Sequence, residues 1–281
     1  MIELRQVAKS YHSPRGETIA LADIDLTVER GELLCLVGPS GCGKTTLLNL
    51  IAGLERPDAG EVLVDGRPIT GPGPDRGVIF QEAALFPWLT VIENVEFGLR
   101  EQKMPRAERH ERAAEHLATV GMSQVAKAYV HELSGGMRQR VALARALALE
   151  PAILLMDEPF GALDARTRDT LQSELIALWE STHKTIVFVT HDIAEAVRLG
   201  SRIVLLAAGP ARVSLSLALE PILARPRHVD QPKVLALAAR LKQYLDHPED
   251  RGEPPSADAG QGEAPGARGA RGAAPGLGLP G

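Results

Sequence analysis

The chain has 281 residues, a formal net charge of −5, a hydrophobic share of 44% and ten aromatic residues. That hydrophobic share supplies a real core and excludes a disordered chain. The acidic balance excludes a protein built mainly to grip a nucleic acid backbone, so no nucleic acid partner is expected.

No apolar run approaches the roughly 18–20 residues of a membrane helix. The first residues, Met1-Ile2-Glu3-Leu4-Arg5, lack the basic-then-apolar layout of a signal peptide. Two cysteines, Cys35 and Cys42, fit a reducing compartment, and the eight histidines show no zinc-ligand spacing. The first 30 residues alternate apolar and polar, as in Ile2-Glu3-Leu4 and Ala22 to Val28, which predicts an antiparallel strand layer. Glu32 to Val37 is short and nearly continuously apolar, the pattern of a buried parallel strand, and a helical pattern follows over Lys44 to Ala52. Residues 88–150 carry no buried-strand signal and predict a helical insert, with helices over Pro105 to Val120 and Gly135 to Leu149. Buried strands are then predicted at Ala152 to Met156, Thr185 to Val189 and Arg202 to Leu206. Helices are predicted at Ala165 to Ser181 and Ile193 to Leu199, and a last amphipathic one at Gln231 to Leu245. The alternation predicts an α/β sheet with helices on both faces. Residues 249–281 are dominated by Gly, Pro and Ala, which cannot bury enough surface to offset their ordering entropy. They read as a disordered tail behind one domain of residues 1–248.

Three motifs carry chemistry. Gly38-Pro39-Ser40-Gly41-Cys42-Gly43-Lys44-Thr45-Thr46 lies between a predicted strand and helix and fits G-x-x-x-x-G-K-[ST]. Its glycines let backbone N–H groups surround a phosphate chain, and the helix N-terminus adds its positive end. Lys44 is expected on the β- and γ-phosphates and Thr45 on Mg²⁺. Cys42 lies inside this loop, so a thiol reagent is expected to block nucleotide binding and nucleotide to protect it. The second motif is an apolar strand ending in Asp157-Glu158. Asp157 is expected to hold Mg²⁺, and Glu158 to orient and deprotonate an attacking water. The third, Leu133-Ser134-Gly135-Gly136-Met137-Arg138-Gln139-Arg140, puts a capping serine and two glycines at a helix start, which makes a second anion nest.

In this order the LSGGMRQR stretch, the LLMDEP strand end and the GPSGCGKTT loop closely resemble the ATP-binding subunits of ABC transporters, over residues 1–225 or so. The resemblance implies an α/β P-loop NTPase fold with a RecA-like core sheet, an N-terminal antiparallel β layer and a helical subdomain at about 88–150. It implies ATP and Mg²⁺, with Tyr11 stacking on adenine and Gln81 sensing Mg²⁺ and a transmembrane partner. Asp164, in Gly161-Ala162-Leu163-Asp164, would communicate across a dimer, and His191 would contact the γ-phosphate. Each also reads as ordinary structure: Tyr11 as a surface tyrosine, Gln81 as a strand-end hydrogen bonder, Asp164 as a helix cap, His191 as a core histidine. The family pairs two copies head to tail, so Ser134, Gly135 and Gly136 would meet ATP held by the partner copy's phosphate loop. Met137 stands where the common signature has Gln.

A transporter subunit without a span implies permease partners, and Leu85-Phe86-Pro87-Trp88-Leu89 after Gln81 is the expected docking surface. Phe188 and Trp179 read as core. The stretches Gly71 to Gln81, Phe86 to Val95, Glu158 to Asp164 and Ala208-Gly209-Pro210 resemble the nitrate, aliphatic sulfonate and taurine importers. That branch implies import of a small anionic solute, an indirect periplasmic or lipoprotein solute-binding protein, and a peripheral place on the cytoplasmic face of the inner membrane. Competing readings are another importer, a split exporter, and a non-transport ABC ATPase of DNA repair or translation. Repair members carry a long coiled coil and translation members two cassettes, whereas heptads are absent here and there is one cassette. A small-molecule kinase would not need the LSGG segment.

Overall fold

The computed structural model describes residues 1–246 except 15, 162, 208 and 221. The Gly/Pro/Ala-rich tail expected from residue 249 lies outside the described residues.

The N-terminal alternation folds as two long antiparallel strands, β1 (Ile2–Ser13) and β2 (Gly16–Val28). β3 (Leu33–Val37) follows, then α1 (Lys44–Ala52), β4 (Ala59–Val64), β5 (Arg67–Pro68) and β6 (Arg76–Ile79). Helices α2 (Val91–Glu101), α3 (Arg106–Thr119) and α4 (Gly135–Ala148) fill the predicted helical insert. The remaining elements are β7 (Ile153–Asp157), α5 (Ala165–Thr182), β8 (Thr185–Thr190), α6 (Ile193–Leu199), β9 (Arg202–Ala207), β10 (Arg212–Ala218) and α7 (Pro232–Asp246).

Two sheets result. One is antiparallel, in the order β2-β1-β4-β5; the other has six strands in the order β10-β9-β3-β8-β7-β6. In the second sheet every pair is parallel except β10 with β9. Its central strands are buried on both faces, which explains their continuous apolar runs. Successive side chains point to opposite faces. Leu33, Cys35 and Val37 therefore join one core with Val95, Leu117, Val141, Leu171, Val197 and Leu237 from α2 to α7. Leu34 and Leu36 join another with Leu47, Leu48 and Ile51 of α1 and with Ile2, Leu4, Val7 and Ile24 of the antiparallel sheet.

Helices do lie on both faces, but α1 shares its face with a whole sheet. The antiparallel sheet turns its alternate apolar residues onto the main sheet and covers what α1 leaves open. Trp179, expected as core, is half-buried: its Nε1–H donates to Gly31 O at 2.8 Å and its ring lies 4.7 Å from the Arg225 guanidinium. Phe188 is fully buried.

Candidate active site

Parallel register brings the carboxyl ends of four strands to one edge. Val37 of β3 is level with Thr190 of β8, Asp157 of β7 with Val189, and Ile79 of β6 with Met156. The chain leaves β3, at the middle of the sheet, between β8 and β9. In open α/β sheets this edge is where ligands bind.

The loop of residues 38–43 leaves β3 there. Gly38 is wedged so closely that a Cβ would sit 2.7 Å from Cys42 Sγ and 2.8 Å from Leu206 O. Gly43, the N-cap of α1, has φ +102° and offers no side-chain cap, so the first N–H groups of α1 keep no side-chain acceptor. Pro39, Ser40, Gly41 and Thr45 are exposed, Thr46 is half-buried, and Cys42 and Lys44 are buried. Lys44 Nζ donates to Gly38 O and Pro39 O, both at 2.9 Å, which holds the ammonium under the loop. Burial pushes the Cys42 thiol up, against the pull of Lys44.

Asp157 is buried at the end of β7, and burial raises its carboxyl above the ordinary range while a hydrogen bond with the Thr45 hydroxyl works the other way. Tyr11, exposed on β1, donates its hydroxyl to Glu55, and its oxygen lies 3.3 Å from Thr46 Oγ1, which places it against the first turn of α1. Glu158 has φ +42°, a strained value for a side-chain-bearing residue. Its N–H donates to Val189 O at 2.9 Å, fixing it to the end of β8. His191 is exposed, not a core histidine, and its Nδ1 lies 2.9 Å from Glu158 Oε2. The two share a small cavity of about 50 Å³ with Arg168, Thr190 and Glu195.

The second cradle lies in different company. Ser134 caps α4, accepting from Met137 N at 3.3 Å, and Ser134 and Gly135 are exposed. Gly136 backs onto Thr167, whose N–H donates to Asp164 Oδ1 at 3.0 Å, so Asp164 is indeed the cap of α5. That bond holds the Asp164 carboxyl below its ordinary range. Gln81 is exposed and lines a cavity of about 490 Å³ with Leu85, Gly135, Arg138, Pro159 and Leu163. None of residues 38–46 lines that cavity. The structure thus groups the phosphate loop with Tyr11 and Asp157, pairs Glu158 with His191, and groups Gln81 with the nest at Gly135.

Sequence reading missed the residues that hold these loops. Arg168 donates to Phe160 O and Leu163 O at 3.3 and 3.0 Å, and Arg145 to Ala84 O and Ala83 O at 2.8 and 3.1 Å. Gln139 is buried beside Phe80 O. Their only signal is position on a helix, which does not single out a clamp. Met137 is half-buried against the core.

The site residues fit a nucleotide with Mg²⁺. The tight glycine at residue 38 leaves the loop backbone without an obstructing side chain, and a lysine stands beneath it. Thr45 and Asp157 offer a hydroxyl and a single carboxylate. Among the described residues no group of three or more His, Cys, Asp or Glu could hold a metal ion alone. Mg²⁺ is usually held by one or two carboxylates plus substrate phosphates rather than by an all-protein cage.

The profile of the family described as ABC transporter matches residues 21–161. The taurine import ATP-binding protein TauB of Pseudomonas putida is 51% identical over 213 residues, 76% of this chain and 80% of that protein. The nitrate import ATP-binding protein NrtD of a Synechocystis strain is 47% identical over 216 residues, 77% and 81% of the two chains. An ATP-binding cassette solved as a dimer in a post-hydrolysis state with ADP and Pi superposes with a TM-score of 0.71 at 38% identity, covering 78% of this chain and 99% of that one. A P-loop ATPase fold with these relatives leaves one conclusion: the chain belongs to the ABC transporter family, as an ATP-binding, ATP-hydrolysing subunit.

Proposed function

We propose that this subunit powers import of a small anionic solute of the sulfonate, taurine or nitrate class, with Glu158 as the general base of ATP hydrolysis. The observation that carries the chemistry is the gathering, at one sheet edge, of the glycine loop, Lys44, the Thr45–Asp157 pair and the Glu158–His191 pair. The direction of transport and the solute class rest on the nitrate and taurine relatives.

The N–H groups of residues 38–46 and the positive end of α1 receive the phosphates. Lys44 exchanges its two loop carbonyls for phosphate oxygens. Thr45 and Asp157 would hold Mg²⁺, which when bound neutralises charge on the phosphates; Gln81, which lines the cavity beside Gly135, would join them only in the closed dimer. Glu158 takes the proton from a water as that water's oxygen bonds to the γ-phosphorus, and the bond to the ADP oxygen breaks, leaving ADP and phosphate. His191 holds the Glu158 carboxylate and reaches toward the γ-phosphate. Tyr11 stacks on adenine.

Ser134, Gly135, Gly136 and Asp164 act on the nucleotide of a second copy in a head-to-tail dimer. The exposure of Ser134, Gly135 and Asp164 supports this, as does the absence of residues 38–46 from the cavity that Gly135 lines; the related cassette is itself dimeric. Residues 1–248 form one ATPase domain with a helical subdomain at about 88–150. The subdomain docks a permease, which in turn receives solute from a periplasmic or lipoprotein binding protein. No helix among the described residues is long and apolar enough to cross a membrane. The nitrate and taurine import relatives support a peripheral position for this subunit, on the cytoplasmic face, through its permease.

Glu158→Gln tests the base. The variant is expected to bind MgATP with wild-type affinity, to lose about 10²–10⁴-fold in turnover and to accumulate as an ATP-bound dimer in size-exclusion chromatography. Wild-type turnover would remove Glu158 from the role.

A further inference from the structure

A second cavity, of about 340 Å³, shares no lining residue with the strand-end site. It lies among α5, α6 and the segment that precedes α7, and three arginines line it: Arg198 on α6, and Arg225 and Arg227 on that segment. Arg227 is 3% exposed and Arg198 7%, so both guanidiniums are nearly removed from water.

Their bonds are incomplete. Arg198 reaches Asp169, Gln172 Oε1 at 2.7 Å and Ser173 Oγ at 3.0 Å. Arg225 donates to Leu199 O at 2.6 Å and lies over the Trp179 ring. Arg227 donates to Leu223 O at 2.9 Å, to Val197 O at 3.1 Å and to Gly200 O. The bonds to Val197, Leu199 and Gly200 close the C-terminal end of α6, which accounts for part of each arginine. Arg198 Nε, Arg225 Nε and Arg227 Nη2 remain buried with no hydrogen-bond partner among the described residues. Buried donors are nearly always satisfied, and a charged one left open is costly.

The nearby carboxylates do not fill the gap. Among the described residues, Glu180 is the sole carboxylate in the cavity wall. Glu220 stands outside the wall, 3.7 Å from Arg225 Nε and 3.5 Å from Arg227 Nη2, and half its side chain is in solvent. Asp169 is taken by Arg198 and is mostly exposed. Burial, and then the neighbouring Arg225, push the Arg227 guanidinium down to about 10, with Glu220 pulling the other way. The volume sits at the small end of ligand pockets, which run from about 300 to 1,000 Å³. Guanidinium N–H groups match tetrahedral oxyanions in both charge and geometry.

We propose that this cavity binds a small tetrahedral oxyanion of the sulfate or phosphate class, held by the guanidinium groups of Arg198, Arg225 and Arg227 that line it, which turn their buried spare N–H donors toward the anion as it binds. The site is separate from the nucleotide site and does not depend on the roles assigned there.

Trp179 gives a local readout, because the chain has two tryptophans and Trp88→Phe leaves it alone. The full chain carrying Trp88→Phe is titrated with sodium sulfate and, separately, sodium phosphate. Sodium chloride at matched ionic strength is the control, and saturating MgADP keeps the phosphate loop occupied. Ala177→Glu places a carboxylate on the exposed wall of the cavity without removing any arginine. Ser173→Asp does the same one turn earlier on α5, and circular dichroism checks that each variant is folded. A saturable change in Trp179 emission is expected with sulfate or phosphate, absent with chloride and weakened at least tenfold in both folded variants. No saturable change, an equal change with chloride, or an unaltered midpoint in either folded variant would overturn the site.

Discussion

Cys42 sits inside the phosphate loop, yet its side chain is buried between Gly38 and the loop backbone and its thiol is pushed up. The thiolate is the reactive form, so both burial and the raised value slow alkylation. The sequence placed this cysteine in the loop but could not show which way it faces. With N-ethylmaleimide at pH 7.5, mass spectrometry is expected to find Cys42 reacting at least tenfold more slowly than a free thiol. The rate should rise further with pH than for a free thiol, whose ordinary value is about 8.5, and MgATP should slow it again. Cys35, fully buried and also pushed up, should label only after unfolding. Free-thiol rates at Cys42 would contradict the packed loop. At this scale the sequence was legible where backbone chemistry dictates residue type, as in Gly38, Gly43, Lys44 and the Asp157-Glu158 strand end. The Glu158–His191 contact joins residues 33 apart, and the Arg198–Gln172–Glu195 network uses ordinary helix positions, so neither leaves a local pattern.

Helix α2 shows what a local signal can carry when it is noticed. Thr90 and Glu93 form a reciprocal cap: Thr90 Oγ1 accepts from Glu93 N at 3.4 Å, and Glu93 Oε2 accepts from Thr90 N at 2.8 Å. Asn94, one position on, is buried and ties Phe86, Leu89 and Thr90 together through their backbones. The cap therefore fixes both the start of α2 and the segment before it. Thr90→Ala is expected to lower stability by about 1 kcal/mol in urea denaturation, with the slope of the transition unchanged. No loss would mean that the cap is dispensable. The Thr-x-x-Glu spacing was present in the sequence, and Val91, Val95 and Leu99 follow it at helical spacing with Asn94 the one polar residue on the buried face, so the start of α2 was legible there. Strands buried on both faces were legible because nothing polar breaks them. β4 and β10 are partly exposed, and β6 is four residues long with Arg76 and Gly77 in it, so their patterns are too short or too mixed to read.

The two sheets and the helical layer put nucleotide chemistry at one edge and an aromatic surface on the helical part. Phe86 packs on Phe97 with centroids 4.3 Å apart, and Trp88 lies 5.6 Å from Phe86 with 70% of its surface exposed. The Arg145 guanidinium lies 5.6 Å from the Phe86 ring and holds the carbonyls of residues 83 and 84, the strand of chain that runs from Gln81 to these aromatics. The scarcity of aromatics was legible from composition, and their concentration after Gln81 from sequence order. Only the fold shows that Phe86 and Phe97 anchor the cluster while Trp88 is left to solvent. An anchored ring beside an exposed one is a ready contact for an apolar partner surface, and aromatic hot spots typically contribute 2 kcal/mol or more. Trp88→Glu is accordingly expected to weaken association with the permease by roughly 30-fold, the equivalent of about 2 kcal/mol. Quantitative pull-down of detergent-solubilised permease checks it, with the thermal midpoint of the isolated subunit as the control for folding. Because the side chain stands in solvent, that midpoint should stay within about 0.5 kcal/mol of stability of the wild type. Unchanged permease capture by the folded variant would move the docking surface away from residues 85–89 and leave the cavity beside Gln81 as the contact to examine.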